Sequence, residues 1–179
     1  MGIRQLLIVL IILLFLVVPQ FVIAEDSDWL SVGVRGGPSA IDKDENFNML
    51  DVFLVYGLPW SLNLTSNIAL NTRVNASLGV MEGGGDTGVI ATAGPGFVIE
   101  RAGGRFQLDI GGGFVLMSED VYGNQDFDEK TQLYCHIGFN YLIDRNWITG
   151  YKFYHLSNAG FHDKNPGLDY HLFEISYRY

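Results

Sequence analysis

From Lys130 to Ile143 the chain reads KTQLYCHIGFNYLI, and the chemistry of that run changes with every residue. Leu133, Cys135, Ile137, Phe139 and Tyr141 fall on one side, and Gln132, Tyr134, His136 and Asn140 on the other. Strand side chains alternate faces with period two, so the run makes a strand with one apolar and one polar face. ALNTRVNASLGV repeats the pattern, with Asn71, Arg73, Asn75 and Ser77 opposite Leu70, Val74, Ala76, Leu78 and Val80. So does RFQLDIGGGFVL, with Phe106, Leu108, Ile110, Phe114 and Leu116 opposite Arg105, Gln107 and Asp109. A chain built of such segments must find an apolar surrounding for one face of each.

Turn residues divide the chain into eight predicted strands: 28–37, 48–59, 68–81, 88–101, 105–117, 130–143, 147–159 and 170–179. No long segment carries a helical period, and there is no repeat at solenoid spacing. A soluble sandwich turns the apolar faces inward; a membrane barrel turns them outward around a polar interior. Three features select the barrel. The polar faces carry charges of both signs, at Arg35, Arg73, Asp109, Lys152, Glu174 and Arg178. The strand count is even, and longer or more polar connections (38–47, 82–87, 118–129, 160–169) alternate with mostly shorter ones (60–67, 102–104, 144–146). The chain ends on Tyr179, with Tyr177, Ile175 and Phe173 on the same face, an ending that resembles the C-terminal signature of bacterial outer-membrane barrels. The expected fold is all-β: an eight-stranded antiparallel up-and-down transmembrane β-barrel. Side chains fill the interior of so narrow a barrel, which excludes a general porin.

The N-terminus fits export. Arg4, a long apolar run and the small residues Val22 and Ala24 predict a signal peptide over 1–24, leaving 25–179 as the barrel domain. The alternative is a retained membrane anchor, because the apolar run is long for a signal core. All 20 acidic residues follow the leader, so the remainder is more acidic than the whole-chain net charge of −9. That excludes nucleic acid as a partner. Cys135 is the single cysteine, so no internal disulfide can form. The acidic stretches DKDE (42–45) and SEDVYGNQDFDE (118–129) read as solvated loops, without the ligand spacing of a metal site.

The segment HLSNAGFHDKNPGLD (155–169) concentrates the chemistry. In WITGYKFYHLSNAG, Lys152 should face the lumen, which turns Tyr151, Phe153, His155 and Ser157 outward. In the last strand Asp169 and His171 share the outer face with the closing aromatic residues. Both termini of an even-stranded barrel lie at one end, so His155, Ser157 and Asp169 cluster at the opposite, outer rim. Alternate residues on one strand face lie about 6.6 Å apart. A His imidazole can lean across that gap to take a Ser proton, with a carboxylate holding the ring. The Asn158 and Asn165 side chains and the amides around Gly160 are candidate oxyanion donors. Tyr151 and Phe153, below the site, are candidate groove residues. His136 reads as an interior histidine, His162 as a loop residue and His171 as a weak candidate for substrate contact.

FYHLSNAG followed by NPGLDY and a closing aromatic strand resembles the PagL family of lipid A 3-O-deacylases, over roughly residues 150–179. The resemblance implies an outer-membrane esterase that removes the 3-linked acyl chain of lipid A without a cofactor. By resemblance Ser157 is the nucleophile and His155 the general base, with Asn158, Gly160, Asn165 and Gly167 in register. Asp169 stands where the family has Glu. Lipopolysaccharide would be the substrate and outer-membrane lipids the surroundings. Two alternatives stay open: a structural or adhesive barrel whose acidic loops bind a partner, and a phospholipase or acyltransferase barrel.

Overall fold

A strand in lipid must have its backbone N–H and C=O groups paired by protein, since hydrocarbon offers no partner. The strands meet that demand by closing on themselves. The computed structural model describes residues 30–40, 45–161 and 165–179. The predicted leader, three residues of DKDE, His162 and Asp163 lie outside the described residues. The elements are β1 (Leu30–Pro38), β2 (Phe47–Asn63), β3 (Ile68–Gly83), β4 (Asp86–Arg101), β5 (Phe106–Met117), β6 (Val121–Tyr122), β7 (Gln125–Asp126), β8 (Thr131–Leu142), β9 (Trp147–Ser157) and β10 (Leu168–Arg178). Eight of them form a closed antiparallel barrel in the order β1-β10-β9-β8-β5-β4-β3-β2, and β6 and β7 make a small separate hairpin.

The predicted parity holds along the strands. On β8, Gln132, Tyr134, His136 and Asn140 are buried, while Ile137 and Phe139 are exposed. On β10, Tyr170, Leu172, Glu174 and Ser176 point in, and Phe173 and Ile175 point out. The exposed apolar side chains, among them Val74, Phe97, Phe114 and Phe139, form the lipid-facing exterior. Cross-strand pairing also sets the tilt. The outward row Ser157–Leu133–Phe114–Ala93–Ala76–Leu54–Val32–Tyr177 circles the barrel and returns to β9 at Trp147, at the other end of the strand. A step from β9 toward β8 and β5 therefore descends from the loop end toward the end that holds Leu30 and Arg178.

Two connections differ from expectation. The predicted loop 82–87 is a two-residue turn, because Gly84 and Gly85 both adopt positive φ (57° and 88°) and so match the twist of the paired strands. The predicted loop 60–67 shrinks to 64–67. β2 runs on to Asn63 through a register shift between Gly57 and Ser61, which absorbs Pro59, a residue with no N–H to donate.

The lumen is polar in one half only. Fully buried Asp109 gathers Arg73, Lys152 (2.8 Å), His136 (3.0 Å) and Asn140 (3.3 Å), and Lys152 reaches Glu174 at 3.0 Å. Arg35 forks onto Asp51 through Nε and Nη2 and lies over the Phe53 and Tyr154 rings. The half nearer the long loops is instead apolar, packed with Met49, Met81, Ile90, Met117, Leu156 and Leu168. The segment 118–129 supplies its cap, which corrects its reading as a solvated loop. Its carboxylates stay outside, but Tyr122 and Phe127 are fully buried with their edges against Phe47, at 5.9 and 5.8 Å. Burial, with Glu119, Asp86 and Asp120 nearby, pushes the Tyr122 phenol up to about 12, so it stays protonated at neutral pH. Asn124 donates to Glu45 and Gly123 N to Asp86, tying the hairpin to the loop before β2 and to the start of β4.

Two outcomes follow for folding into lipid vesicles. Arg at Ile137 or Phe139, midway along β8, should cost about 2–4 kcal/mol of barrel stability, whereas Arg at outward Asn48, near the rim, should cost about 0–1 kcal/mol. Equal costs at the two depths would contradict a lipid-facing exterior. Asp109→Leu should destabilise the barrel by about 3–5 kcal/mol in a urea titration, because Arg73 is left buried without its carboxylate. A loss below about 1 kcal/mol would show that Asp109 is not the hub of the lumen.

Candidate active site

His155 and Ser157 close β9, and Asp169 opens β10. All three are on the outer face, where the His155 side chain is 42% and that of Asp169 21% exposed. Antiparallel pairing sets Asp169 directly opposite His155, and their Nδ1 and Oδ1 atoms meet at 2.6 Å. With Nδ1–H donating to the carboxylate, Nε2 carries the free lone pair. Ser157 stands one pleat farther along the same face of β9. Among the described residues no hydrogen bond joins its hydroxyl to the ring; the Cα atoms of the two residues lie about 6.6 Å apart along the strand.

Beyond Ser157 the chain turns through Ala159 and Gly160, both at positive φ (55° and 77°). Asn158 is buried and holds this turn, accepting from Gly160 N at 2.9 Å through its Oδ1. Its own backbone N–H donates to Asn165 Oδ1 at 3.2 Å, which ties the two Asn residues together. The oxygen of that side chain accepts, so its NH2 group is the part able to donate. Gly167, at φ 59°, passes beneath the imidazole: a Cβ there would stand 3.4 Å from His155 Cε1. The predicted support residues Asn158, Gly160 and Asn165 thus form one bonded turn beside the His–Asp pair.

Below the site, Tyr151 and Phe153 do lie on the outer wall, as expected, and they join a cluster absent from the sequence reading. Tyr151 Oη and His171 Nδ1 are 2.7 Å apart, Phe153 meets the His171 ring edge-on at 5.9 Å, and Phe173 lies 5.4 Å from Tyr151. Shared outward parity is visible in the sequence; the pairing of Phe153 with His171 depends on register. His136 is interior, as expected, on Asp109. Among the described residues no three His, Cys, Asp or Glu side chains gather to hold a metal ion.

Similarity to known proteins bears on the family and on the fold. A family model described as lipid A 3-O-deacylase (PagL) matches residues 49–178, which include His155, Ser157 and Asp169. The lipid A deacylase PagL of Bordetella bronchiseptica is 31% identical over 77 residues, covering 43% of this chain and 42% of that protein. The chain thus aligns with less than half the length of that relative. A crystal structure of the outer membrane enzyme PagL matches with a TM-score of 0.70 at 22% identity, over 82% of this chain and 97% of that one. A de novo designed transmembrane β-barrel matches at 0.53 and 13% identity, over 88% of this chain and all of that one. The two structures bear on the fold, which is that of a transmembrane β-barrel. Matched along most of its barrel, the chain belongs to the PagL family of lipid A 3-O-deacylases.

Proposed function

We propose that this protein is an outer-membrane esterase that hydrolyses the 3-O-linked acyl chain of lipid A through Ser157, His155 and Asp169. The observation that carries the reading is the 2.6 Å His155–Asp169 contact, set on the lipid-facing wall with Ser157 one pleat away. An outward polar trio is costly in lipid unless it has work to do. The domain at work would be 25–179, after removal of a signal peptide at 1–24 and delivery to the outer membrane. Lipopolysaccharide in the outer leaflet would supply the substrate.

In this mechanism Asp169 holds the imidazole with its proton on Nδ1, so Nε2 can take the Ser157 proton as the hydroxyl oxygen attacks the ester carbonyl. Rotation of the two side chains on substrate binding closes the gap between them. The tetrahedral intermediate carries its charge on the former carbonyl oxygen, which the Asn165 NH2 group would receive as a donor. The Gly160 and Asn158 amides are already engaged, so they brace the turn rather than meet the oxyanion. Protonated His155 then returns its proton to the sugar oxygen as the C–O bond breaks. Water repeats the sequence on the acyl-Ser157 ester and releases the fatty acid. No cofactor enters this scheme.

Two sets of variants test it. Ser157→Ala and His155→Ala should each abolish release of 3-hydroxy fatty acid from lipid A, as read by mass spectrometry, while the barrel keeps its heat-modifiable mobility. Parental release by the Ser157 variant would remove the nucleophile. Asp169→Asn should lower kcat by roughly 10²–10⁴-fold with a smaller change in KM, because the ring loses its orientation and its cation loses support. Asp169→Glu should keep substantial activity, and Asp163→Asn should lose little. A crippled Asp163 variant beside a healthy Asp169→Asn would move the acid to Asp163.

A further inference from the structure

The two ends of the barrel differ in charge. The loop end carries Glu45, Asp86, Glu119 and Asp120. At the end that holds Leu30 and Arg178, two neighbouring turns carry Arg101, Arg105 and Arg145, all exposed. The turns are joined across the β5–β8 pair, where Leu142 N donates to Arg105 O at 2.8 Å. Each is also fixed within itself. Gly103 takes positive φ (68°), and Gly104 N reaches Arg101 O at 2.8 Å. Asp144 Oδ1 accepts from Asn146 N (2.8 Å) and Trp147 N (2.7 Å), which commits that oxygen to the turn. Arg178 donates to Arg145 O at 3.0 Å and so ties the second turn to β10. Among the described residues, none of the three turn arginines has a carboxylate within ion-pair distance.

Outward aromatic side chains adjoin this basic rim. The Phe106 and Tyr141 rings lie 5.0 Å apart, and the Tyr141 hydroxyl accepts from Arg105 Nη1 at 3.4 Å. Trp147 meets the Tyr177 ring edge-on at 5.3 Å. Their depth follows from β9, whose outward face runs from Trp147 to Ser157. That run covers about 33 Å of strand, or about 25 Å of membrane at a tilt of about 40°, the height of the apolar band of such barrels. With Ser157 at the outer boundary of the band, Trp147 lies at the inner one. Aromatic rings at that level sit among the headgroups. The three arginines stand just beyond them, at the depth of the phosphates.

Independently of the esterase reading, we propose that Arg101, Arg105 and Arg145, with Phe106, Tyr141 and Trp147 beside them, bind anionic glycerophospholipid of the periplasmic leaflet. The guanidinium groups meet the phosphodiester, to which an arginine can donate two parallel N–H bonds. The rings cover the first carbons of the acyl chains. An acidic periplasmic protein would satisfy the arginines but leave the rings outside the contact, so the observations favour the membrane. The acidic loop end repels the same headgroup, which confines the preference to one rim.

Trp147 both lines the surface and reports on it. In full-length protein carrying Trp29→Phe and Trp60→Phe it is the one tryptophan left. The protein is placed in phosphatidylcholine vesicles containing a small share of lipid brominated near the glycerol, either phosphatidylglycerol or phosphatidylcholine. Quenching of Trp147 fluorescence then gives the local share of each lipid. Phosphatidylglycerol should be enriched about fivefold over its bulk share, the factor that one arginine near an anionic surface supplies. Adding Arg101→Gln, Arg105→Gln and Arg145→Gln should return it to the bulk share. Trp147→Phe with Val89→Trp moves the reporter to the outward face of β4 near Asp86, where no enrichment should appear. Barrel formation by each variant is checked by its heat-modifiable mobility, and the comparison of the two lipids at Trp147 stands without the other variants. Equal quenching by both lipids at Trp147 would overturn the lipid surface and leave the rim to an acidic protein. Enrichment that survived the three glutamines, or that was matched in the Val89→Trp protein, would overturn it as well.

Discussion

The backbone in hydrocarbon must satisfy its own hydrogen bonds, and nearly every other feature depends on how this chain does so. Closing the sheet between β1 and β10 leaves no free edge, and it ties each residue's side of the wall to its parity. It also makes register cumulative. A row that leaves β9 at Ser157 returns at Trp147, so direction around the barrel is coupled to depth in the membrane. Face and depth together decide what a side chain meets: lumen, lipid tail or interface.

The interior of a small barrel must then be filled, and the chain fills it in two ways. Where the lumen is polar, Asp109 is held among Arg73, Lys152, His136 and Asn140, so that its buried charge is met by counter-charges. Nearer the loops an apolar core takes over, capped by Tyr122 and Phe127. With the interior filled in this way among the described residues, the proposed site lies on the outer wall.

Parity was legible in the sequence because it needs nothing beyond period two. From it came the outward set His155, Ser157 and Asp169, the inward charges and the eight barrel strands. Features that depend on non-periodic or distant contacts were not legible. The cap formed by 118–129 arises because Tyr122 and Phe127 find Phe47, some 75 residues earlier in the chain, and nothing local announces it. The turn at Gly84–Gly85 was within reach of the sequence, since paired glycines favour a tight hairpin, but acidic neighbours made it read as a loop. The Tyr151–His171 contact required knowing that Phe153 pairs with His171, which the length of the intervening loop does not fix.

The same period-two rule joins the buried plug to the exposed site. His155 is flanked in sequence by Tyr154 and Leu156, and Asp169 by Leu168 and Tyr170; all four flanking residues are at most 1% exposed. Each outward polar side chain is therefore held by inward neighbours on both sides, locked in a close-packed core. The arrangement gives the His–Asp pair the fixed backbone that a 2.6 Å contact requires, on strands rather than on a loop. Only Asn158, Gly160 and Asn165 sit on a turn, and there the Asn–Asn and Asn–Gly bonds take over the bracing role of the strand ladder. A narrow barrel has no room for a site within, but its packed interior gives a rigid back to a site without. The apolar character of the outer half of the lumen, which the sequence alone read as polar, is what makes that wall stiff behind the proposed site.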